Sequence, residues 1–352
     1  MKIALVANNI EGNYDGIGKH ARLLSDSLKK QNVDVSIFWG KTWNKSKYAL
    51  LISMEMSKAY LRLCKQIQKE KFDFILVEYP FHEHNPFVLL THILLYVITR
   101  FRRTKIALSL HEFDRVSPFR KVIIIGLILF SDVCFFTESK YINKFKLLNK
   151  HSFIRQIPSH INRPNGEKNY DRKRYCFLGL LNKSKAFQEM LDAWVLFNKH
   201  KECRLDIITS SQNCDISKYK CYGVCLHQNI SDKDVAEIMF NSAFSVIPIM
   251  PYVDIINGSF MAATKCGCIP IGVFSKKSNF SFGIHAKSYD LQDFLDAFVS
   301  SEKMTDDEIS EKSNNASRFG LRYSFDSVAE SMIGVLNEKS CFNDRIVKNG
   351  DA

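Results

Sequence analysis

The stretch DIINGSFMAATKCGCIPIG, residues 254–272, contains a polar loop, the start of a helix and a short apolar strand. Asn257, Gly258 and Ser259 stand at the helix start, where asparagine and serine are favoured capping residues. The first N–H groups of a helix have no partner inside it and carry partial positive charge, so they bind anions. Gly258 would let an anion approach the backbone closely. The stretch therefore predicts an anion site, with simple capping and no ligand as the alternative.

Strand-like and helix-like segments alternate along the rest of the chain. The apolar runs are residues 2–7, 33–39, 72–79, 105–111 and 132–137, and then 174–181, 203–210, 243–249 and 268–274. Such alternation predicts parallel sheets with helices on both faces. Residues 157–174 are rich in Pro, Asn, Gly and charge, which is typical of a linker. The chain is therefore predicted to be an α/β protein of two doubly wound domains, joined near residue 165.

Length and charge support this division. A chain of 352 residues with 46% hydrophobic residues is long enough for two domains. Residues 1–165 hold 26 Lys and Arg against 13 Asp and Glu, whereas the remainder holds 23 against 24. The first half therefore carries the whole positive excess.

Two apolar segments with basic flanks lie in that half, at residues 86–103 and 119–130. They are too short to span a bilayer but are suited to lying against anionic lipid headgroups. We therefore predict contact with an anionic membrane surface, with ordinary buried helices as the alternative. Nucleic acid is the least favoured partner, and we predict that the protein binds none.

The cysteines and the first residues bear on location. Of the ten cysteines, only Cys221 with Cys225 and Cys266 with Cys268 are close in sequence, and neither pair has the spacing of a zinc site. MKIALVANN is too short and too soon polar for a signal peptide. These features predict reduced thiols in a cytoplasmic protein, peripheral at the inner face of the cell membrane.

Three ordered segments resemble motifs of the GT-B glycosyltransferases, family 4 in particular: residues 15–31, 177–194 and 230–272. The resemblance implies two Rossmann-like domains with a cleft between them. Residues 1–165 would bind a glycan acceptor and residues 166–352 a nucleotide-sugar donor, with the last helix a candidate to cross back. It also implies retaining sugar transfer without a bound metal or cofactor, onto a lipid-linked intermediate of a bacterial surface polysaccharide.

The resemblance also implies catalytic residues. His111, at the end of an apolar run, matches a strand-end histidine near the donor sugar. Lys185 matches a lysine that stabilises the diphosphate leaving group, and Asp254 matches the first of two family acids. A solvated loop lysine remains the alternative for Lys185.

For binding the donor, the resemblance implies Gly16 and Gly18 in a loop that faces the diphosphate and acceptor, together with Asn257, Gly258 and Ser259. The spacing of these first glycines is not that of a dinucleotide fingerprint. A turn that needs glycine but binds no ligand is the alternative.

Departures from the family pattern keep two other functions open. Leu180 replaces an expected arginine, Ala186 a glycine, and Ala262 the second acid. The candidate replacements are Lys183 or Arg155 for the cation, and Glu237 or Asp234 for the acid. The alternatives are a catalytically silent scaffold and a nucleotide-sugar epimerase. A second polar cluster, Glu78 with His82, Glu83 and His84, is predicted to face the acceptor and lacks the spacing of a metal site.

Overall fold

The computed structural model describes residues 1–7, 16–39, 55–79, 86–111, 113–114, 116–149, 151–181, 186–211, 215–275 and 280–348. The chain forms two compact units. Met1–Gln156 and Phe325–Ala352 make up the first, and Ile157–Ser324 makes up the second.

The first unit contains a six-stranded sheet in which every described pair of neighbours is parallel. Its strands are β1 (Lys2–Ala7), β2 (Asp34–Trp39), β3 (Phe74–Tyr79), β4 (Lys105–Leu110), β5 (Val133–Phe136) and β6 (Ser152–Ile154). They lie in the order β2-β1-β3-β4-β5-β6. β3 is buried along its whole length, as expected of a parallel strand with both faces covered.

Helices cover both faces of this sheet. They are α1 (Gly16–Lys30), α2 (Glu55–Lys69), α3 (Pro86–Arg102), α4 (Pro118–Leu129) and α5 (Ser139–Phe145). Successive side chains of β1 point to opposite faces. Ala4 and Val6 therefore join the core beneath α2, α3 and α4, while Ile3 and Leu5 join the core beneath α1.

The second unit repeats the plan. Its strands are β7 (Asp171–Leu178), β8 (Arg204–Thr209), β9 (Val224–Gln228), β10 (Ser242–Val246), β11 (Ile269–Gly272) and β12 (Ile284–His285). Their order is β12-β11-β10-β7-β8-β9, with parallel neighbours. The strands β8 and β9 lie on one side of β7, and β10, β11 and β12 lie on the other side, so the strand order reverses between β7 and β10. Such a switch point is where ligands bind in open α/β sheets.

The helices of this unit pack on both sides of its sheet. They are α6 (Phe187–Asn198), α7 (Asp232–Phe240), α8 (Gly258–Lys265), α9 (Leu291–Lys303) and α10 (Asp306–Leu321), with a 3-10 helix at Ser217–Tyr222. Trp194 of α6 and Phe298 of α9 share one core, and Phe260 of α8 and Ala316 of α10 share the other.

The last helix, α11 (Phe325–Lys348), belongs to the first unit. Its Val328, Ala329 and Met332 pack in the same core as Leu24 and Leu28 of α1. The first segment of the first unit ends at Gln156, where the predicted join was near residue 165. The helix α11 belongs to the first unit because it buries its apolar side chains against α1.

Two other sequence-based expectations concern membrane spans and cysteines. Among the described residues, no helix combines the length and the apolar character needed to cross a membrane. Eight cysteines whose side chains the structure describes are free thiols, and six of these are buried.

Candidate active site

Glu78, His111 and Arg155 meet at the edge of the first sheet where its strands end. Glu78 lies near the end of β3, His111 follows β4, and Arg155 follows β6. Glu78 is fully buried. Its Oε1 lies 2.5 Å from Nη1 of Arg155, and its Oε2 lies 2.7 Å from Nε2 of His111. The Glu78 carboxylate thus links the ends of β3, β4 and β6 through hydrogen bonds.

The charges in this cluster are balanced locally. Burial alone would raise the pKa of Glu78, but the nearby Arg155 guanidinium and the hydrogen bond from His111 outweigh burial and hold that pKa well below 4.5. An ionised carboxylate can only accept hydrogen bonds, so Nε2 of His111 carries the proton that it donates to Glu78. Nδ1 of His111 is then an acceptor when the ring is neutral.

His20 and Ser109 complete the cluster. Arg155 donates hydrogen bonds to Oγ of Ser109 on β4 and to Nε2 of His20 on α1. The rings of His20 and His111 pack edge to face, with 5.1 Å between their centroids. His20 was missed at the sequence level, because only the folded chain brings α1 to the ends of β3 and β4.

The same atoms could be considered as a metal site, since the ligand atoms of His20, Glu78 and His111 all lie within 4.8 Å of one another. The guanidinium of Arg155, however, is hydrogen-bonded to both Glu78 and His20. A fixed positive charge among the ligand atoms opposes binding of a divalent cation. The arrangement fits an ion-pair network rather than a metal centre.

Gly16 and Gly18 lie elsewhere than predicted. They were expected in a loop between strand and helix, but both belong to the first turn of α1, where Gly18 is buried. The preceding residues 8–15 lie outside the described part of the chain, as do His82, Glu83 and His84. Glu78 pairs with His111 rather than standing in a separate polar cluster.

In the second unit, α8 starts at Gly258 as predicted, but Asn257 does not cap the helix through its side chain. Its Oδ1 instead accepts the N–H of Asp254, at 2.6 Å. Asp254 in turn accepts the N–H of Ile255 through Oδ1, at 2.7 Å, and the N–H of Asn257 through its carbonyl oxygen, at 2.9 Å. The turn before the helix is therefore held by its own side chains.

This turn leaves open space in front of the helix. Gly258 is exposed, and a Cβ added to it would meet no atom within 4 Å. Ser259 and Asp254 are partly exposed beside it. Because Asn257 directs its oxygen elsewhere, the first N–H groups of α8 do not receive a cap from that side chain, and they can face an anion.

The loop after β7 lies next to the segment that leads to α8. The N–H of Ala186 donates to the carbonyl oxygen of Pro248, at 3.0 Å, and the N–H of Leu181 donates to Oγ of Ser211, at 2.8 Å. Lys185, and Lys183 with it, lies outside the described residues. Leu181 is therefore held by the segment after β8, and Ala186 by the segment after β10.

The structure describes the surroundings of three candidate replacements for the missing family residues. Arg155 is committed to Glu78 inside the first unit. Asp234 accepts the hydroxyl of Ser231, at 2.7 Å, at the start of α7, and Glu237 is exposed on that helix. Ala262 is fully buried in the core, so this position contributes to packing.

No protein-family model and no curated protein matches the sequence. Solved structures do match its fold. An α-glucosyltransferase in complex with UDP-glucose and DNA containing an abasic site has a TM-score of 0.67 and 13% identity, covering 96% of this chain and 99% of the other. A glycosyltransferase from Rickettsia africae has a TM-score of 0.67 and 11% identity, covering 96% and 98%. HepE from Anabaena in complex with UDP-glucose has a TM-score of 0.65 and 10% identity, covering 96% and 100%.

The chain has the GT-B fold. This confirms the fold class predicted from the sequence, two Rossmann-like α/β units. One prediction about partners is wrong. Nucleic acid was left out of the expected partners, yet α-glucosyltransferases with this GT-B shape are solved in complex with DNA. The GT-B frame therefore accommodates a nucleic acid, and the fold gives no ground for excluding one here.

Proposed function

We propose that this protein is a glycosyltransferase that takes a sugar from a nucleotide-sugar donor. The observation that carries the proposal is the open helix start at Gly258, in a GT-B fold, on the segment that follows β10, one of the two strands at the switch point of the second sheet. UDP-glucose or UDP is named in the complexes of the similar structures, so UDP-glucose is the first donor to test.

The donor diphosphate is proposed to bind the backbone N–H groups at the start of α8. These groups and the partial positive charge of the helix favour an anion without any side-chain cation. Lys185 is proposed to add a point charge that stabilises the leaving diphosphate as the sugar bond breaks. Asp254 is proposed to hydrogen-bond a hydroxyl of the sugar.

In the first unit, His111 is the group proposed to touch a substrate. Its Nε2 is committed to Glu78, and its Nδ1 is proposed to accept a hydrogen bond from a sugar hydroxyl. Glu78 positions this ring and is too deeply buried and paired to act as a nucleophile. Transfer is proposed to retain the anomeric configuration, with the leaving diphosphate taking the acceptor proton on the same face.

The acceptor is proposed to be a lipid-linked glycan, in assembly of a bacterial surface polysaccharide at the inner face of the cell membrane. Membership of glycosyltransferase family 4 is proposed with it, on the three ordered motifs. The support is the motif order and the basic first half of the sequence.

The experiment incubates the full chain with UDP-glucose, with and without acceptors, and follows the products by proton NMR. Release of UDP with a new glycoside supports the proposal, and the anomeric coupling of that glycoside decides between retention and inversion. Conversion of the nucleotide sugar without an acceptor would identify an epimerase. UDP binding without release or conversion in a broad screen of sugars and acceptors would favour a silent scaffold. Transfer to a DNA duplex alone would overturn the lipid-linked acceptor while leaving glycosyl transfer in place.

A further inference from the structure

Two neighbouring helices of the first unit expose large apolar side chains to solvent. We call this surface the α3–α4 face, and its residues are Leu90, Leu94, Val97 and Phe101 on α3, and Phe119, Val122 and Leu129 on α4. Phe101 is 84% exposed and Val122 is 62% exposed. Isolated apolar residues on a surface are ordinary, but a contiguous set marks an interaction site.

The spacing on α3 aligns these side chains along one line. Leu90, Leu94, Val97 and Phe101 follow one another at intervals of four, three and four residues, which places them on one side of a helix. Another side of the same helix carries the buried Leu95 and points into the core. A helix that only covered a sheet would present polar residues to solvent, so the exposed line of α3 requires a separate explanation.

The two helices form one surface because they pack closely on the same face of the sheet. Val88 and Leu95 of α3 share a core with Ile124 and Leu127 of α4. Gly126 of α4 lies directly against α3, since a Cβ there would come within 2.6 Å of the Leu89 side chain. The exposed lines of α3 and α4 are therefore side by side.

A row of basic side chains borders this face on α2. Lys58, Arg62, Lys65 and Lys69 are all exposed on α2, at helical spacing. α2 is joined to α3 by the hydroxyl of Tyr60, which lies 3.3 Å from Nδ1 of His92. Helices α2, α3 and α4 together contain eight Lys and Arg and one acidic residue, Glu55. The apolar face thus lies beside a strongly positive strip.

We propose that the α3–α4 face, with the basic row of α2, docks on an anionic lipid bilayer. Apolar side chains would enter the boundary between headgroups and acyl chains, while the lysines and arginines meet the headgroup charge. A second copy would bring two positive strips together, which costs energy. Nucleic-acid interfaces are polar and charged, and they do not need seven exposed apolar side chains. Charge complementarity and apolar character together favour lipid.

The test measures flotation of the full chain with vesicles of phosphatidylcholine alone or mixed with phosphatidylglycerol. We expect the chain to bind the mixed vesicles, and we expect this binding to weaken as salt screens the electrostatic attraction. The double variant Leu94→Ser/Phe101→Ser is expected to lose at least about tenfold in binding, because two apolar anchors are removed. Lys65→Glu/Lys69→Glu is expected to lose about 30-fold or more, given the usual attraction of each basic residue to an anionic surface.

Matched variants in the second unit serve as controls. Leu196 and Leu321 are 52% and 48% exposed, and Leu196→Ser/Leu321→Ser is expected to bind vesicles like the unmodified chain. Lys199→Glu/Lys303→Glu, also exposed, is expected to bind nearly as well. All four double variants should melt close to the unmodified protein, because none of these side chains is in the core.

Several results would overturn the proposal. They are failure to bind mixed vesicles, equal binding to neutral vesicles, and equal losses in the control variants. A dimer in sedimentation velocity that Leu94→Ser/Phe101→Ser dissociates would assign the face to a second copy. Binding of a DNA duplex that Lys65→Glu/Lys69→Glu abolishes, without vesicle binding by the unmodified chain, would assign the strip to nucleic acid. None of these measurements uses sugar transfer, so failure here is distinct from failure of the proposed function.

Discussion

Glu78 and His111 connect the ends of the neighbouring strands β3 and β4 through a hydrogen bond of 2.7 Å between Oε2 and Nε2. Because Glu78 is buried and ionised, this bond sets which nitrogen of His111 carries the proton. The ring is thereby presented with Nδ1 as its remaining acceptor. In the proposed mechanism Glu78 is a positioning residue, and His111 is the group proposed to contact the substrate.

His111→Gln tests that role. Loss of a charge-stabilising or hydroxyl-binding group is expected to lower kcat about 10²-fold or more, while the affinity for UDP changes little because the proposed diphosphate site lies on the second unit. Initial rates and calorimetry with UDP measure the two effects. His200→Gln, at an exposed position on the second unit, is the control. An unchanged kcat in His111→Gln would remove this residue from the active site.

Glu78→Gln is expected to destabilise the first unit. The substitution keeps the size of the side chain but leaves the buried Arg155 guanidinium without its counter-charge, and breaking a buried pair in this way costs about 3–5 kcal/mol. Urea unfolding at pH 7 measures the change. Arg100→Gln removes the more exposed partner of Asp132 and should cost only about 0–1 kcal/mol. Equal losses of unfolding free energy in the two variants would mean that the buried Glu78–Arg155 pair contributes no more to stability than the more exposed Arg100–Asp132 pair.

His92 is expected to make the protein acid-sensitive. Burial lowers the pKa of His92 from 6.5 to about 4, although hydrogen bonding to the carbonyl of Phe130 opposes the shift. Between these two pH values the unfolded chain takes up a proton at His92 that the folded chain does not. The contribution of the neutral His92 to the free energy of unfolding is therefore fully present above pH 6.5 and is lost as the pH drops toward 4. The loss should amount to about 3 kcal/mol.

The measurement is the free energy of unfolding of the unmodified chain and of His92→Gln at pH 7 and at pH 5. The variant is less stable at pH 7 but should lose less on acidification. His200→Gln should follow the unmodified chain, because that side chain is exposed. If His92→Gln showed the full acid dependence, the buried imidazole would not be its source.

Gly258→Val tests the helix start of the second unit. A branched side chain would fill the space in front of the N–H groups of α8 and exclude a phosphate, yet it meets no protein atom within 4 Å of its Cβ. We expect loss of UDP binding in calorimetry with a modest loss of melting temperature. Ser259→Ala should lower the free energy of UDP binding or of unfolding by at most about 0.5–2 kcal/mol.

A second helical glycine provides the matched control. Gly334 of α11 also has open space around its added Cβ, so Gly334→Val should cost a similar amount of stability and leave UDP affinity intact. Unchanged UDP affinity in Gly258→Val would make the helix start a structural feature only, and the proposed donor site would lose its main support.

The order of strands and helices was predictable because each long buried strand is a continuous apolar run. Residues 72–79 and 203–210 were predicted as strands, and β3 and β8 lie within them. Strands β6, β9 and β12 were not predicted, since they are short or only partly buried edge strands with weaker apolar signals. The helix start at Gly258 was also predicted, although the Asn257 side chain hydrogen-bonds the N–H of Asp254 and does not cap the helix.

The first-unit cluster depended on the tertiary structure. His20 and Arg155 are 135 residues apart, and Glu78 and Arg155 are 77 apart, so no local pattern relates them. They meet because parallel strands end at one sheet edge, and burial there forces each charge to find a partner. The sequence by itself determined alternating strands and helices, the basic first half and the helix start at Gly258. Only the packing of α1 and the strand ends determined that Glu78 pairs with Arg155 and orients His111.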